Sequence, residues 1–234
     1  MDFEAKLEAF YNELDLTGTT VIDIGANIGR HAIPLARKIG PGGLLCAFEP
    51  IPVIRGILNE KLLAAGLNNV AVFPFALSSE RSVADFNYIP NLPEESGLKK
   101  RHAYNAVPSE FQKIKVGVFK LDDLMPLETK VTFIKIDVEG GELDVLQGAP
   151  RLLTSSQPIV AFECGAASFL GYHKTPGEIF NIFDAMHYQV FSIIGQKMLD
   201  VESFIAASYA QNCWDYIALP EGQENLALFL KNNQ

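Results

Sequence analysis

The sequence predicts an α/β protein whose central sheet is mostly parallel and covered by helices on both faces. Segments with strand-like and helix-like patterns alternate from about residue 19 onward, which is the order that builds such a sheet. Residues 131–138 (VTFIKIDV) form a β-branched, apolar run that is typical of a buried central strand. A turn with two glycines at residues 23–29 (DIGANIG) joins the first strand to the following helix.

Turn and helix-stop residues set the limits of the elements in the first half. Residues 1–18 begin with an amphipathic pattern that predicts an N-terminal helix. The run Gly40-Pro41-Gly42-Gly43 ends the first helix of the alternation, and Pro52 suits the first turn of the next one. The predicted elements of this half are strand 20–24, helix 28–39, strand 44–48, helix 52–65 and strand 70–75.

The second half contains a less regular stretch before the alternation resumes. Residues 90–111 are rich in Pro, Glu, Ser, Lys and Asn and predict a long loop between two hairpin strands. Thr175 is a suitable N-cap for the last predicted helix. The predicted elements are strands 81–88, 114–121 and 131–138, helix 142–147, strand 159–164, helix 176–186, and strands 190–194 and 214–219. Because there is no internal repeat and no clear linker, residues 1–234 predict a single domain.

The composition excludes several classes of function. The 234 residues include 28 Asp and Glu against 19 Lys and Arg, and the formal net charge of −9 argues against a broad nucleic-acid surface. The basic run at 99–102 is interpreted as a solvated loop. Cys46, Cys164 and Cys213 are too few and too scattered for a disulfide framework or a zinc site. Because there is no long apolar run and no basic, apolar start, we expect a cytoplasmic protein that does not interact with a membrane.

The turn after the first strand predicts a cofactor site. Gly25 and Gly29 let the backbone turn tightly, and the first amides of the next helix are expected to favour a carboxylate or another anion. A dinucleotide-binding turn has the pattern G-x-G-x-x-G, with glycine where the pyrophosphate comes closest. This sequence has Asn27 at that position, and its side chain leaves less room for a pyrophosphate. A ligand with an amino-acid tail therefore suits the turn better than a pyrophosphate.

Glu49 is the second candidate cofactor residue. It ends the second strand, 26 residues after Asp23, and the ends of these two strands are adjacent in a doubly wound sheet. A carboxylate at this position can accept hydrogen bonds from both hydroxyls of a ribose. This feature does not separate S-adenosylmethionine from NAD, because both contain that ribose.

A group of carboxylates follows the strand at 131–138. Asp137, Glu139 and Glu142 are expected to crowd the same sheet edge, and Glu163 ends the next strand. Like charges this close should raise at least one pKa, which can prepare a general base or a metal site. A metal site built from Asp137, Glu139 and Glu163 is conceivable because hard cations bind carboxylates. It is the less favoured interpretation, and the expected site contains no metal.

These motifs together resemble the FkbM-type methyltransferases. The matching segments are DIGANIG at 23–29, FEP at 48–50, FALS at 75–78, KIDVEGGE at 135–142, VLQGA at 145–149, and Pro158 followed by Phe162-Glu163. The resemblance covers roughly residues 19–195, and KIDVEGGE is its most specific part. It implies a three-layer, Rossmann-like class I methyltransferase fold with a seven-stranded sheet that contains one antiparallel strand. It also implies S-adenosylmethionine as methyl donor and, typically, a hydroxyl of a small natural product or sugar as acceptor.

The resemblance also implies roles for individual residues. Residues 25–27 would line the methionine end of the cofactor, with Asp23 bracing the turn. Glu49 would hold the ribose, and Ile51 with residues 75–77 would flank the adenine. Asp137 and Glu139 would face the sulfonium and the acceptor and are the candidate catalytic residues. The implied cofactor-binding residues are Asp23, Gly25, Ala26, Asn27, Gly29, Glu49, Pro50, Ile51, Ala76, Leu77 and Asp137. Residues 77–130 are the expected acceptor-specific insertion, because loops on a rigid sheet usually carry specificity.

Alternatives to this interpretation predict different features. An NAD-dependent oxidoreductase would need room for a pyrophosphate at Asn27 and a Tyr-Lys or similar proton relay, and neither is found. Methylation of nucleic-acid amino groups is disfavoured because KIDVEGG occupies the place of an (N/D)-P-P-(Y/F) motif. A cofactor-binding scaffold without turnover is the third alternative. The expected partner is a small-molecule or glycan hydroxyl acceptor, with a homodimer allowed for.

Histidines are the remaining candidates for proton transfer. His31 lies one turn into the first predicted helix of the alternation, where a packing or surface role is favoured over a catalytic one. His102 lies on the long loop and His173 follows the Glu163 strand, and either could approach an acceptor.

Overall fold

A seven-stranded sheet forms the centre of the structure, a computed structural model that describes residues 2–99, 112–165, 169 and 172–232. The strands of the chain are β1 (Thr20–Ile24), β2 (Leu44–Phe48), β3 (Val70–Phe73), β4 (Phe75–Leu77), β5 (Ser82–Tyr88), β6 (Gln112–Phe119), β7 (Val131–Ile136), β8 (Ile159–Glu163), β9 (Tyr188–Ser192) and β10 (Asp215–Pro220). The central sheet has the order β3-β2-β1-β7-β8-β10-β9. Its β10 runs antiparallel to both neighbours and the other pairs are parallel, which confirms the predicted fold class.

Strands β4, β5 and β6 form a second, three-stranded sheet in the order β4-β6-β5. β5 and β6 pair antiparallel as the predicted hairpin strands. The predicted strand 70–75 is wrong at its end, because β3 stops at Phe73 and β4 begins at Phe75 and pairs with β6 in the other sheet. Pro74 separates the two strands, since proline fixes its own φ and has no amide hydrogen to continue the pairing.

Helices cover both faces of the central sheet. They are α1 (Phe3–Glu13), α2 (Ala32–Ile39), α3 (Pro52–Ala64), α4 (Leu121–Leu124), α5 (Glu142–Gln147), α6 (Pro150–Ser156), α7 (Pro176–Ala185), α8 (Val201–Ala210) and α9 (Ala227–Asn232), with 3-10 turns at Pro93–Glu95 and Glu224–Leu226. The sequence reasoning missed α4, α6, α8 and α9. Within the part of the chain that the structure describes, none of these helices is long and apolar enough to cross a membrane.

The core consists of two apolar layers, one on each face of the sheet. Neighbouring residues of a strand point to opposite faces. Val21 and Phe133 accordingly pack with buried residues of α1, α2 and α3. Ile22 and Ile134 pack on the other face with buried residues of α5, α6, α7 and α8. The result is the predicted three-layer arrangement.

Helix α2 begins four residues later than predicted, at Ala32 and not at residue 28. Asn27 has φ 46° and Gly29 has φ 93°, and a right-handed helix requires negative φ throughout. The turn therefore extends through residue 31. The backbone amides of the turn are not part of the helix and can form other hydrogen bonds.

Gln211 offers a test of the backbone conformation at the end of α8. It adopts the left-handed conformation (φ 51°, ψ 30°) at an exposed C-cap, where a non-glycine residue is strained. We expect Gln211→Gly to raise the free energy of unfolding by about 0.5–1 kcal/mol in urea titrations. The neighbouring exposed Asn212 does not have positive φ, so Asn212→Gly should stabilise nothing. Equal effects of the two substitutions would contradict the assigned conformation.

Candidate functional site

A cavity of about 390 Å³ opens at the carboxyl ends of the central strands. Its wall is built from the turn after β1, the turn after β2, β4, the segment after β7, and parts of residues 86–98. This edge of an open α/β sheet is where ligands usually bind. The chain direction of β1, β2 and β7 therefore places all three predicted motifs around one space.

The wall contains every predicted cofactor-binding and catalytic residue except two. Those that line it are Gly25, Ala26, Asn27, Glu49, Pro50, Ile51, Ala76, Leu77, Asp137 and Glu139. The two that do not are Asp23, which is fully buried behind the wall, and Gly29, whose positive φ shapes the turn. Asp23 accepts no hydrogen bond from the turn, so the bracing role expected of it has no direct contact among the described residues.

Gly25 is the position where the ends of β1 and β7 meet. A Cβ built on Gly25 would lie 1.8 Å from the carbonyl oxygen of Asp137, and the residue has φ 82°. Only glycine permits this close approach of two backbones. The absence of a side chain at Gly25 thus brings the Asp137 segment against the turn.

The amides of residues 25–29 bond within the protein, one of them to the carboxylate of Glu49. Gly25 N and Ala26 N donate to the carbonyl of Phe48 at 3.1 and 3.0 Å, and Gly29 N donates to the carbonyl of Ala26 at 2.9 Å. Asn27 N donates to Glu49 Oε2 at 3.0 Å. The remaining amide, that of residue 28, donates to the side-chain oxygen of Asn27 at 2.7 Å. Five successive amides are therefore already used.

Glu49 holds the turn and also forms part of the wall. Its Oε2 accepts from Asn27 N, and its Oε1 accepts from Ile51 N at 2.7 Å. Each carboxylate oxygen has a further lone pair for a ligand hydroxyl. Burial raises the pKa of Glu49 to about 7, against the lowering effect of the two amide hydrogen bonds. A hydroxyl that donated to Glu49 would favour its ionised form.

Lys135 is a buried cation behind the Asp137 side of the wall. Its Nζ lies 2.9 Å from Asp137 Oδ2. Burial lowers the pKa of Lys135, but the carboxylates of Asp137 and Asp23 outweigh burial and raise it above its ordinary value. Burial raises the pKa of Asp23, and neither oxygen of this carboxylate has a hydrogen-bond partner among the described residues. Lys135 acts to lower the pKa of Asp23, but burial outweighs this effect.

Asp137 and Glu163 share a proton. Burial acts to raise the pKa of Asp137, but Lys135 and the hydrogen bond with Glu163 hold it below its ordinary value. Burial, reinforced by the negative charge of Asp137, raises the pKa of Glu163 well above its usual range. Asp137 is thus the ionised partner, and the protonated Glu163 donates a hydrogen bond to it.

The predicted proximity of Asp137, Glu139 and Glu163 is confirmed. One oxygen from each lies within 4.8 Å of the others, which is close enough for a shared cation. Asp137 already pairs with the Lys135 ammonium at 2.9 Å, so a metal at this group stays the less favoured interpretation.

Glu142 lies behind the wall. It is 1% exposed, and its Oε1 accepts from Val138 N at 3.0 Å and Gly140 N at 3.2 Å. Burial raises its pKa to about 7. Glu142 therefore fixes the turn after β7, where Glu139 adopts a left-handed conformation with φ 61°.

Several wall residues were missed or undervalued by sequence reasoning. Lys135 could have been found, because a lysine inside an apolar strand indicates a buried charge with partners. No pattern in the sequence singles out Glu4 of α1 as a site residue. His31 is 2% exposed and lines the cavity, bonded to Glu4 and Tyr11. The remaining histidine candidates give no site, because His173 is exposed outside the wall and residue 102 lies outside the described residues.

Comparison with known proteins identifies related sequences and folds. The family model described as Methyltransferase FkbM domain matches residues 23–193. Methyltransferase sdnD of Sordaria araneosa is 32% identical over 155 residues, covering 55% of this chain and 59% of the relative. Methyltransferase 1 of Beauveria bassiana is 27% identical over 143 residues, covering 55% and 57%. The chain thus spans less than two thirds of the length of these curated relatives.

A solved structure supports the fold. The crystal structure of Methyltransferase FkbM from Methylobacillus flagellatus aligns with a TM-score of 0.56 at 16% identity. The alignment covers 93% of this chain and 50% of that chain. At this level of identity the likeness shows a shared fold.

The close contact at Gly25 predicts a strong effect on folding. We expect Gly25→Ala to lower the free energy of unfolding by about 2 kcal/mol or more, because the new Cβ forces β1 and β7 apart and the φ becomes strained. Gly56 is the matched control, since it lies inside α3 with nothing near its missing Cβ. Gly56→Ala should stabilise by about 0.5–1 kcal/mol in the same urea titration. If Gly25→Ala left the free energy of unfolding unchanged, the close approach of Gly25 to the Asp137 backbone would be refuted.

The raised pKa of Glu49 predicts a pH dependence of stability. The folded protein binds this proton more tightly than the unfolded chain, so the contribution to stability is complete below pH 4.5 and is lost as pH rises to about 7. In Glu49→Gln, the fall in unfolding free energy between pH 5 and 8 should be smaller by about 1–3 kcal/mol. Exposed Glu60 provides the control, because Glu60→Gln should keep the wild-type slope. An unchanged slope in Glu49→Gln would contradict the burial of its charge.

Proposed function

Because the chain belongs to the FkbM methyltransferase family, we propose that its cavity binds S-adenosylmethionine and that the protein methylates a hydroxyl of a small natural product or sugar. The family implies this donor, and the finer statement about the acceptor extends the resemblance of the sequence motifs. This proposed activity is that of the whole protein. The described fold would supply its donor site.

The charge of the cavity wall is the observation that carries the proposal. The five turn amides that could hold an anion are used inside the protein, and Glu49, Asp137 and Glu139 line the same space. A pyrophosphate would meet carboxylates here, without free amides from residues 25–29. S-adenosylmethionine carries a sulfonium and an ammonium against a single carboxylate, so its net positive charge suits this wall better than a pyrophosphate does. The alternative of an NAD-dependent oxidoreductase is therefore disfavoured on electrostatic grounds.

Individual residues suit different parts of this donor. Glu49 would accept from the ribose hydroxyls, while keeping its bonds to the turn amides. The apolar side chains of Ile51, Ala76 and Leu77 offer a surface for the adenine ring. The backbone of residues 25–27 would border the amino-acid end, with Pro50 completing the wall beside Glu49.

The remaining task of the chain is to orient the acceptor and remove its proton. When bound, S-adenosylmethionine supplies an electrophilic methyl group. Asp137 is a weak proton acceptor because Lys135 and Glu163 both stabilise its charge. Asp137 is better suited to holding positive charge, which would leave Glu139 to orient the acceptor hydroxyl and accept its proton.

Residues 86–98, which follow β4, form a further part of the wall. Phe86 and Leu98 are apolar, whereas Glu94 and Ser96 can accept or donate hydrogen bonds. This mixture suits a small molecule with an apolar body and hydroxyl groups, in line with a specificity role for residues 77–130. The predicted homodimer and cytoplasmic location stay predictions.

Calorimetry with S-adenosylhomocysteine, S-adenosylmethionine and NAD tests the donor. We expect both sulfur ligands to bind and NAD to bind weakly or not at all. Glu49→Ala should weaken S-adenosylhomocysteine binding by about tenfold or more, about 1.4 kcal/mol, because the ribose loses its acceptor. Glu60→Ala on the exposed face of α3 should bind like the wild type.

Tight NAD binding without a response to S-adenosylhomocysteine would overturn the proposed donor. Turnover of labelled donor with hydroxylated acceptors would then separate an enzyme from a scaffold that binds the cofactor without turnover.

A further inference from the structure

Helix α1 contributes a carboxylate to the cavity. Glu4 lies in its first turn and forms part of the wall, on the same side as His31, Lys135 and Asp137. The family model matches from residue 23 onward, so α1 lies outside the matched stretch. Glu4 is therefore an addition to the site from outside the family-matched region.

His31 fixes the position of Glu4. Its Nε2 is hydrogen-bonded to Glu4 Oε2, and its Nδ1 lies 3.3 Å from the hydroxyl of Tyr11. Burial raises the pKa of Tyr11, so this hydroxyl keeps its proton and can donate to Nδ1. The two ring nitrogens of His31 thus have one partner each, with Nε2 donating to Glu4 and Nδ1 facing the Tyr11 hydroxyl.

This arrangement leaves a negative charge facing the cavity. The hydrogen bond from His31 holds the pKa of Glu4 below its ordinary value, so the Glu4 side chain is a carboxylate. Lys135 and Asp137 are close enough to act on the Glu4 carboxylate, but Lys135 is already paired with Asp137 at 2.9 Å. Oε2 is used by His31, which leaves Oε1 to accept from a ligand cation.

The cavity is polar at this end and apolar at the other. Glu4, His31 and Asp137 lie at one side, and Ile51, Ala76 and other apolar side chains lie at the other. A ligand with a cationic end and a flat, apolar end fits this order in only one direction. Its cationic end would lie next to Glu4.

We propose that Glu4 binds the ammonium group at the amino-acid end of S-adenosylmethionine, with His31 as the residue that positions the Glu4 carboxylate. This inference rests on the proposed function, since it assigns one contact to the same donor. It makes α1 part of the donor site, beyond any packing role.

A packing role for α1 can be separated from a binding role because the helix has a second charged contact. Glu8 pairs with Arg30, and of these two residues only Arg30 lines the cavity. Loss of either Glu4 or Glu8 would remove one charged contact that holds the helix. Only the loss of Glu4 would remove a ligand contact.

The experiment compares two ligands by calorimetry. S-adenosylhomocysteine has the amino-acid end, whereas 5′-methylthioadenosine has the same nucleoside and sulfur without it. Glu4→Gln can still accept the hydrogen bond from His31, so the fold should persist. We expect this variant to bind S-adenosylhomocysteine about tenfold more weakly, about 1.4 kcal/mol, and to bind 5′-methylthioadenosine like the wild type.

The controls separate the competing explanations. Glu8→Gln should leave the affinities for both ligands unchanged, and His31→Gln should weaken S-adenosylhomocysteine alone. Equal losses for both ligands in Glu4→Gln, or losses of the same size in Glu8→Gln, would assign α1 a structural role and overturn the inference. Unchanged affinity of Glu4→Gln for S-adenosylhomocysteine would also overturn it. Failure of the wild type to bind S-adenosylhomocysteine would instead refute the proposed function.

Discussion

The buried ammonium of Lys135 is the charge on which the rest of the site depends. It lies within the central strand β7, pairs with Asp137 at 2.9 Å, and also acts on the charges of Asp23 and Glu4. Removing one partner of a buried ion pair typically costs about 3–5 kcal/mol, because the other charge is left uncompensated. Lys135 also acts to lower the pKa of Asp23, which burial raises and which has no hydrogen-bond partner among the described residues. One cation inside the sheet thus permits several carboxylates near its edge.

The turn after β1 complements this concentration of negative charge. In a dinucleotide site the glycine-rich turn presents free amides to a pyrophosphate. Here Asn27 N bonds to Glu49, and the amides of Gly25 and Ala26 bond to the carbonyl of Phe48. The turn therefore exposes carboxylate oxygens and few donors. Because Glu49 both fixes the turn and faces the cavity, the shape of the turn and the recognition of a ligand hydroxyl depend on one side chain.

Local patterns in the sequence were sufficient for the central sheet and for most of the wall. Strand periodicity, helix stops and the three motifs placed β1, β2 and β7 correctly, and parallel strand direction then placed their ends together. Contacts between distant segments were not accessible in this way. The bond from His31 to Glu4 joins residues 27 positions apart, and it depends on how α1 packs across the sheet. The start of α2 and the division at Pro74 depended on backbone angles and strand pairing that the apolar pattern does not encode.

The backbone conformation of Glu139 supports a role for its side chain in the cavity. A non-glycine residue with positive φ is uncommon, and asparagine, aspartate and histidine are the residues that tolerate it best. Asn27 is of this type, but Glu139 is not, and its left-handed conformation costs about 1–2 kcal/mol. Glycine would adopt the same angles without this cost, and glycines follow at once at residues 140 and 141. Glu142 holds this turn through two amides, so the surrounding structure enforces the strained conformation. Strain of this kind persists only where the surrounding structure enforces it, and here it holds a carboxylate beside Asp137.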